Sequence, residues 1–236
     1  MPIYEITSDR LEVIPETTFQ AVGLRERQDL QRLLRQHIAI LSPDTLVIDE
    51  DHGRGRGIDL LGVDRRGDLV VVDLLRAEDA QQLELNALRG AASVASLTFE
   101  QAASSYQAFL TRQGTVGESA HARLLEFLGW KKPDEDRFGL RMRVVLAAPD
   151  FSEELAQTVL WLGGQGIEVR CVRVKPYSYG KRLMLEVTQV IPPPEAAAHE
   201  AARSHKESLA RLNARMRAPM RRTPASPTSK SQPSSE

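Results

Sequence analysis

The chain has 236 residues, of which 42% are hydrophobic and 27% charged, with a formal net charge of −1 and one cysteine. That length suits one large domain or two small ones and can bury a sizeable core. No stretch approaches the apolar length of a transmembrane helix, MPIYEITSDRLEV lacks a signal-peptide apolar region, and the lone Cys171 excludes an intrachain disulfide, all of which fit a reducing cytoplasm.

Residues 10–15 read as a first strand, and Gly23 breaks the chain before the first helix. From Leu24 to Leu41, the residues Leu30, Leu33, Leu34, Ile38 and Leu41 recur at helical spacing. Thr45 to Asp49 reads as a short strand, followed by the turn-rich run Asp51 to Gly57. Residues 80–95 read as a helix. Thr98-Phe99-Glu100-Gln101 is a capping-box signature that opens another helix, to about Arg112.

A further helix is expected over 117–128, a strand over 141–148, and a helix from the Asp150–Glu153 segment to Gly164. Residues 167–175 and 181–191 read as strands divided by a Pro176–Gly180 turn. Cys171 lies in the apolar pattern VRCVRV and reads as a packed thiol. Trp161, in TVLWL, reads as a core residue. Trp130, ahead of Lys131-Lys132, reads as half exposed and packed, with base stacking as the minor alternative.

The fold class is therefore α/β, a mixed central sheet flanked by helices. Pro192-Pro193-Pro194 ends the folded body, because proline suits neither a sheet nor a helix interior. A basic C-terminal helix is expected over 195–218 and a disordered Pro/Ser/Thr-rich tail over 219–236.

The segment GIDLLGVDRRGDLVVVDLLR, residues 57–76, is the most informative. It reads as two apolar strands joined by Arg65-Arg66-Gly67, with Gly67 at the position that needs a positive φ. A loop centred on Arg66 sets Val63 against Leu69 and Asp59 against Asp73. Two carboxylates so placed repel each other at about 5 Å, and a divalent cation between them turns that cost into a binding site. A bulge that slips the register would send one aspartate to the other face. The plainer alternative for Asp73 is an edge-strand side chain pointing to water.

An Asp at the head of a hairpin followed by Asp/Glu-x-Lys on the next strand resembles the PD-(D/E)XK nucleases. DLQRLLRQHIAIL, IDLLGVDRRGDLVVVDLLR, ELNALRGAASVASLTFEQA, VVLAAPDFSEELAQTVLWLGGQGIEVRCVRVKPY and VIPPPEA are similar to successive blocks of the bacterial NucS-like endonuclease family, over roughly residues 24–207. The resemblance implies a restriction-endonuclease-like core at about 24–110 with an α/β extension at about 111–194, together making a nuclease-like domain over 1–194. It implies Mg²⁺ or Mn²⁺ on Asp59 and Asp73, and DNA as partner. Glu26 matches a helix carboxylate that the family adds to the metal centre; its plainer reading is an acidic residue near a helix N-terminus.

The chain departs from the family at three positions. The strand motif is Asp73-Leu74-Leu75, so the lysine that orients water beside the phosphate is Leu75. The family's E-L-Q-A-L-R-Y is Glu84-Leu85-Asn86-Ala87-Leu88-Arg89-Gly90 here, with Asn for Gln and Gly for the aromatic. Arg89 and Arg76 are the candidate replacement cations, although Arg89 already stands in the relatives. Arg54 and Arg56, spaced by glycines, together with Arg76 and Asn86, are candidate nucleic-acid contacts. Glu50 reads either as reaching the metal or as lining a solvated loop, and His52 as a loop residue.

Charge is unevenly spread. From His199 onward there are eight Lys/Arg and three acidic residues, a balance of +5, which leaves −6 on 1–198. The basic segment reads equally as a nucleic-acid patch and as a solvated extension. Two readings of function follow. One is a DNA-binding nuclease-family protein whose ancestral reaction is metal-dependent phosphodiester hydrolysis, with Leu75 opposing catalysis. The other is an inactive nucleic-acid-binding or protein-interaction module on the same fold. A third reading, which the −6 body permits, is a partner-binding scaffold without nucleic acid, and a homodimer is a further expectation.

Overall fold

The computed structural model describes residues 2–24, 29–50, 58–74, 83–115 and 117–193, with side chains in the helix from Leu83 described from Ala87 onward. A β-hairpin comes first, with β1 at Ile3–Ile6 and β2 at Leu11–Ile14. Then follow α1 (Gln31–Gln36), a 3-10 turn (Ile38–Ile40), β3 (Thr45–Glu50), β4 (Leu60–Asp64) and β5 (Leu69–Leu74). The chain continues through α2 (Leu83–Val94), α3 (Phe99–Arg112), α4 (Ala120–Leu128), β6 (Met142–Ala148) and α5 (Glu153–Gly164), and closes with β7 (Glu168–Tyr179) and β8 (Arg182–Ile191).

Strands β3 to β8 form one six-stranded sheet in chain order. The β3–β4–β5 meander is antiparallel, β5, β6 and β7 are parallel, and β8 returns antiparallel. This is a mixed α/β architecture with helices against the sheet. Both parallel steps need a crossover, and helices supply it: α2 to α4 between β5 and β6, and α5 between β6 and β7.

Every residue of β4 and β5 is buried. That matches their near-continuous apolar runs, because strands covered on both faces do not alternate. The hairpin register is the one expected, with Val63 paired to Leu69. Gly67 carries φ 90° in the turn. A Cβ on Gly67 would lie 2.9 Å from the Trp130 ring. Trp130 is therefore packed on the hairpin turn, with Arg137 over its ring at 4.8 Å, as a structural residue.

Helix caps follow the sequence signals. Thr98 and Gln101 form the reciprocal capping box of α3, and Ser152 caps α5 by accepting from the Leu155 N–H at 3.1 Å. Cys171 is fully buried in β7.

Two expectations are corrected. Trp161 is 64% exposed beside an exposed Leu160: α5 buries Leu155, Val159 and Leu162 instead, so the helix turns TVLWL outward at Trp161. Pro176 does not end a strand either. β7 runs through it to Tyr179, because pairing with β6 stops at Arg173–Ala148 and the missing N–H costs no β6 bond. Beyond that point residues 15–17 take the vacated edge. The Thr17 N–H donates to the Pro176 carbonyl at 3.0 Å, and the Ser178 N–H to that of Pro15 at 3.2 Å.

The β1–β2 hairpin turns Glu12 and the buried Ile14 to one side. Its inner side carries Glu12, which accepts from the Tyr179 hydroxyl at 2.9 Å. Its other face presents Tyr4, Ile6, Leu11 and Val13, all exposed. Among the described residues no helix is long and apolar enough to cross a membrane.

Gly62 marks the tightest contact in the sheet. A Cβ there would stand 2.6 Å from Thr45 Cγ2 and 3.0 Å from the Leu46 carbonyl oxygen. Gly62→Ala should cost about 1–3 kcal/mol by overpacking, read as a lower denaturant midpoint with an unchanged m-value. An unaltered midpoint would show that β3 can move away freely.

Candidate functional site

Asp59 and Asp73 come together at one end of the central strands. Asp73 is the penultimate residue of β5, and Asp59 directly precedes β4. Both are buried, at 8% and 7% exposure. Asp73 sits on a central strand, so the water-facing edge alternative does not hold.

The ladder leads from Leu60–Val72 toward the Asp59–Asp73 pair but ends one residue short of it. There the Asp59 N–H bonds the Val72 carbonyl at 3.1 Å. The Asp59 carboxylate accepts from the Leu74 N–H at 2.7 Å, and its carbonyl accepts from the buried Gln31 side chain of α1 at 2.9 Å. Asp59 is thus tied to β5 and α1 by three bonds, one of them to its carboxylate. A charged acceptor makes that bond stronger than a neutral one.

The acids at the end of β3 are spoken for. Asp49 is buried, pairs with Arg112 at the end of α3, and accepts from the Glu50 N–H at 2.9 Å. Glu50 accepts from Arg35 at 2.5 Å and from Gln113 at 2.8 Å. It therefore clamps α1 and α3 to β3, and neither of its two sequence readings describes that role. No sequence signal marked the clamp, because its partners stand 15 and 63 residues away.

Of the other sequence candidates, Arg89 lies on α2 and is exposed. Asn86 lies in α2, and its side chain is outside the described part. Glu26, His52, Arg54, Arg56, Leu75 and Arg76 lie outside the described residues, as does the segment from 194 onward. Among the described residues no group of three or more His, Cys, Asp or Glu could hold a metal ion. Two aspartates still supply oxygen donors of the kind Mg²⁺ or Mn²⁺ prefers.

A second charge cluster, unnoticed in the sequence, closes the opposite end of the sheet. Asp64 caps the hairpin turn, accepting from the N–H groups of Arg66 at 2.8 Å and Asp68 at 3.1 Å. Arg143, at the start of β6, reaches Glu168 at 2.6 Å, Asp64 at 3.5 Å and the Ser42 hydroxyl at 3.3 Å. Arg170 joins Glu168 at 2.5 Å.

Burial opposes ionisation of Glu168, but the charges and hydrogen bonds of Arg143 and Arg170 outweigh it and hold the carboxyl below its ordinary value. Asp68 goes the other way: burial and the neighbouring Asp64 raise it, against the pull of Arg66, Arg141 and Arg143. Its carboxyl thus holds a proton more tightly in the fold than in the unfolded chain.

The chain matches no protein-family model. No curated protein matches it. Among solved structures, an EndoMS–dsDNA2 complex is similar to it with a TM-score of 0.31 and 16% identity, over 61% of this chain. The match spans 43% of the EndoMS chain, under half its length.

Asp59→Ala would strand the buried Leu74 N–H and should cost about 1–3 kcal/mol. Asp59→Asn retains an acceptor and should recover most of that loss. Equal destabilisation by the two variants in urea melts would show that the bond to Leu74 contributes nothing. Glu168, with its lowered folded pKa, contributes stability that is present above its ordinary value of 4.5 and is lost as pH falls through the folded value. The gap in Tm between wild type and Glu168→Gln should therefore be widest near neutrality and close below pH 4.5. Asp68 has the opposite sign, its contribution being present below 3.8 and fading as pH rises, and it is common to both proteins. A gap independent of pH would remove the charge argument.

Proposed function

We propose that this chain is a DNA-binding protein on a nuclease fold, with Asp59 and Asp73 as the remnant of a metal-supported hydrolytic site and Leu75 as the residue that weakens turnover. The observation that carries the reading is the burial of two aspartates on neighbouring strands at one end of the sheet. This pair falls where the PD-(D/E)XK resemblance puts its metal ligands. The EndoMS neighbour is a DNA complex; the proposal of DNA as partner rests on the sequence resemblance.

The two aspartates fit a hard divalent cation, with water and phosphate oxygens completing its shell. Such a cation, when bound, lowers the pKa of a water and offsets charge on the phosphoryl group. The protein's own part is to hold Asp59 by the Leu74 N–H and Gln31, and to keep Asp73 in a rigid central strand.

The alternative, a binding module without turnover, is favoured by Leu75, which can neither orient a water nor stabilise negative charge. It is favoured too by the engagement of Asp49 and Glu50 with Arg112 and Arg35, which leaves the nearest β3 acids committed to structure.

The test is a cleavage and binding assay on single-stranded, nicked, flapped and mismatched DNA with Mg²⁺ or Mn²⁺, using wild type, Asp73→Asn and Leu75→Lys. Wild type should bind DNA and cleave it on the order of a hundredfold or more below Leu75→Lys, and Asp73→Asn should abolish the residual rate. Robust wild-type cleavage lost in Asp73→Asn would refute the weakened site and establish an active nuclease. Absence of DNA binding would refute the reading as a whole.

A further inference from the structure

A charged group stands near the aspartate pair that neither the sequence motif nor the resemblance singles out. The parallel register aligns Asp73 with Leu146 of β6 and Leu146 with Cys171 of β7. Paired residues in a sheet share a face, and so does the residue two positions further along a strand. Arg173, two residues beyond Cys171, therefore lies on the same face as Asp73 and toward the same C-terminal end of the strands. Two strand spacings and two residues separate their backbones, about 10 Å across and about 7 Å along. Ligands of open α/β sheets bind outside the carboxyl ends of the strands.

The bonding of Arg173 is incomplete. Its Nε is buried and has no hydrogen-bond partner among the described residues. Its one ion pair among the described residues, to Asp150, is long at 3.3 Å, and that carboxylate is 71% exposed. Buried donors are nearly always satisfied, and one that is not calls for an explanation such as an absent ion. Nε and the adjacent terminal nitrogen of a guanidinium form the edge that grips phosphate through two parallel bonds, and the Arg173 side chain is 31% exposed. The contrast lies within the protein: Arg143 and Arg170 at the other end of the sheet pair with Glu168 at 2.6 and 2.5 Å.

We infer that Arg173 is a phosphate-binding residue, gripping a backbone phosphate of the nucleic acid whose neighbouring phosphate lies at Asp59 and Asp73, with Asp150 as the counter-ion that the phosphate displaces. The inference rests on the DNA-binding reading for the identity of the ligand, while the anion site itself stands on the geometry of Arg173.

The experiment uses the full chain, a labelled double-stranded oligonucleotide titrated at several salt concentrations, and inorganic phosphate as a second probe followed by Tm. Arg173→Ala should weaken DNA binding roughly tenfold or more and lower the salt slope by about 0.9, the share of one phosphate. Arg173→Lys, which keeps the charge and the fold but lacks the fork, should keep the slope and lose part of the affinity. Asp150→Asn removes the competing carboxylate and should tighten binding. Wild-type DNA binding that is unchanged in affinity and slope by Arg173→Ala and Arg173→Lys overturns the inference and leaves the DNA-binding reading intact. If DNA does not bind but phosphate raises the wild-type Tm and not that of the Arg173 variants, the anion site stands and the DNA reading falls. If neither probe binds, both are overturned.

Discussion

The guanidinium of Arg143 is the contact on which the sheet's construction turns. It is buried at the start of β6, the strand where the antiparallel meander meets the parallel half. Its partners come from the hairpin turn (Asp64), the start of β7 (Glu168) and the segment before β3 (Ser42). A buried cation is tolerable only when it is paired and hydrogen-bonded, and removal of one partner typically costs about 3–5 kcal/mol. The network thus fixes how far β6 and β7 slide against the hairpin, and it fixes the register that sets Asp73 beside Leu146 and Cys171.

That arrangement separates the two ends of the sheet chemically. At the turn end the charges Arg66, Asp64, Asp68, Arg143, Glu168 and Arg170 answer one another. At the other end the carboxyl termini of β5 and β6 and the middle of β7 bring Asp73 and Arg173 to one face, with Asp59 alongside Asp73, and the Arg173 Nε has no hydrogen-bond partner among the described residues. A closed network resists change, and an incompletely bonded one has capacity for a ligand. The candidate chemistry therefore falls at the end of the sheet that the Arg143 network does not seal.

Asp59 joins structure to that chemistry. Its carboxylate secures the Leu74 N–H and its carbonyl takes the Gln31 amide, so α1 and β5 are both referenced to it. The clamp of Glu50 by Arg35 and Gln113 does the same for α1 and α3 on β3. Rigid placement of this kind is what a metal or phosphate site requires, and in the fold these carboxylates serve packing.

The sequence by itself determined the local features, because their causes lie within a few residues. The hairpin register follows from Gly67 and two apolar runs, and the α3 cap from Thr98 and Gln101, whereas the burial of Asp73 was decided by the central place of β5 in the sheet. Contacts across long sequence separations were decided by the tertiary structure alone. The Glu50 clamp forms only when α1 and α3 pack on β3, and the Arg143 network and the shared face of Arg173 and Asp73 arise only when β6 and β7 add in parallel. Trp161 faces outward for the same reason, since helical spacing names a face but not which face meets the sheet, and the sheet covers Leu155, Val159 and Leu162. Pro176 stays within β7 because β6 ends before it, a matter of strand length in a neighbour that no property of Pro176 itself records.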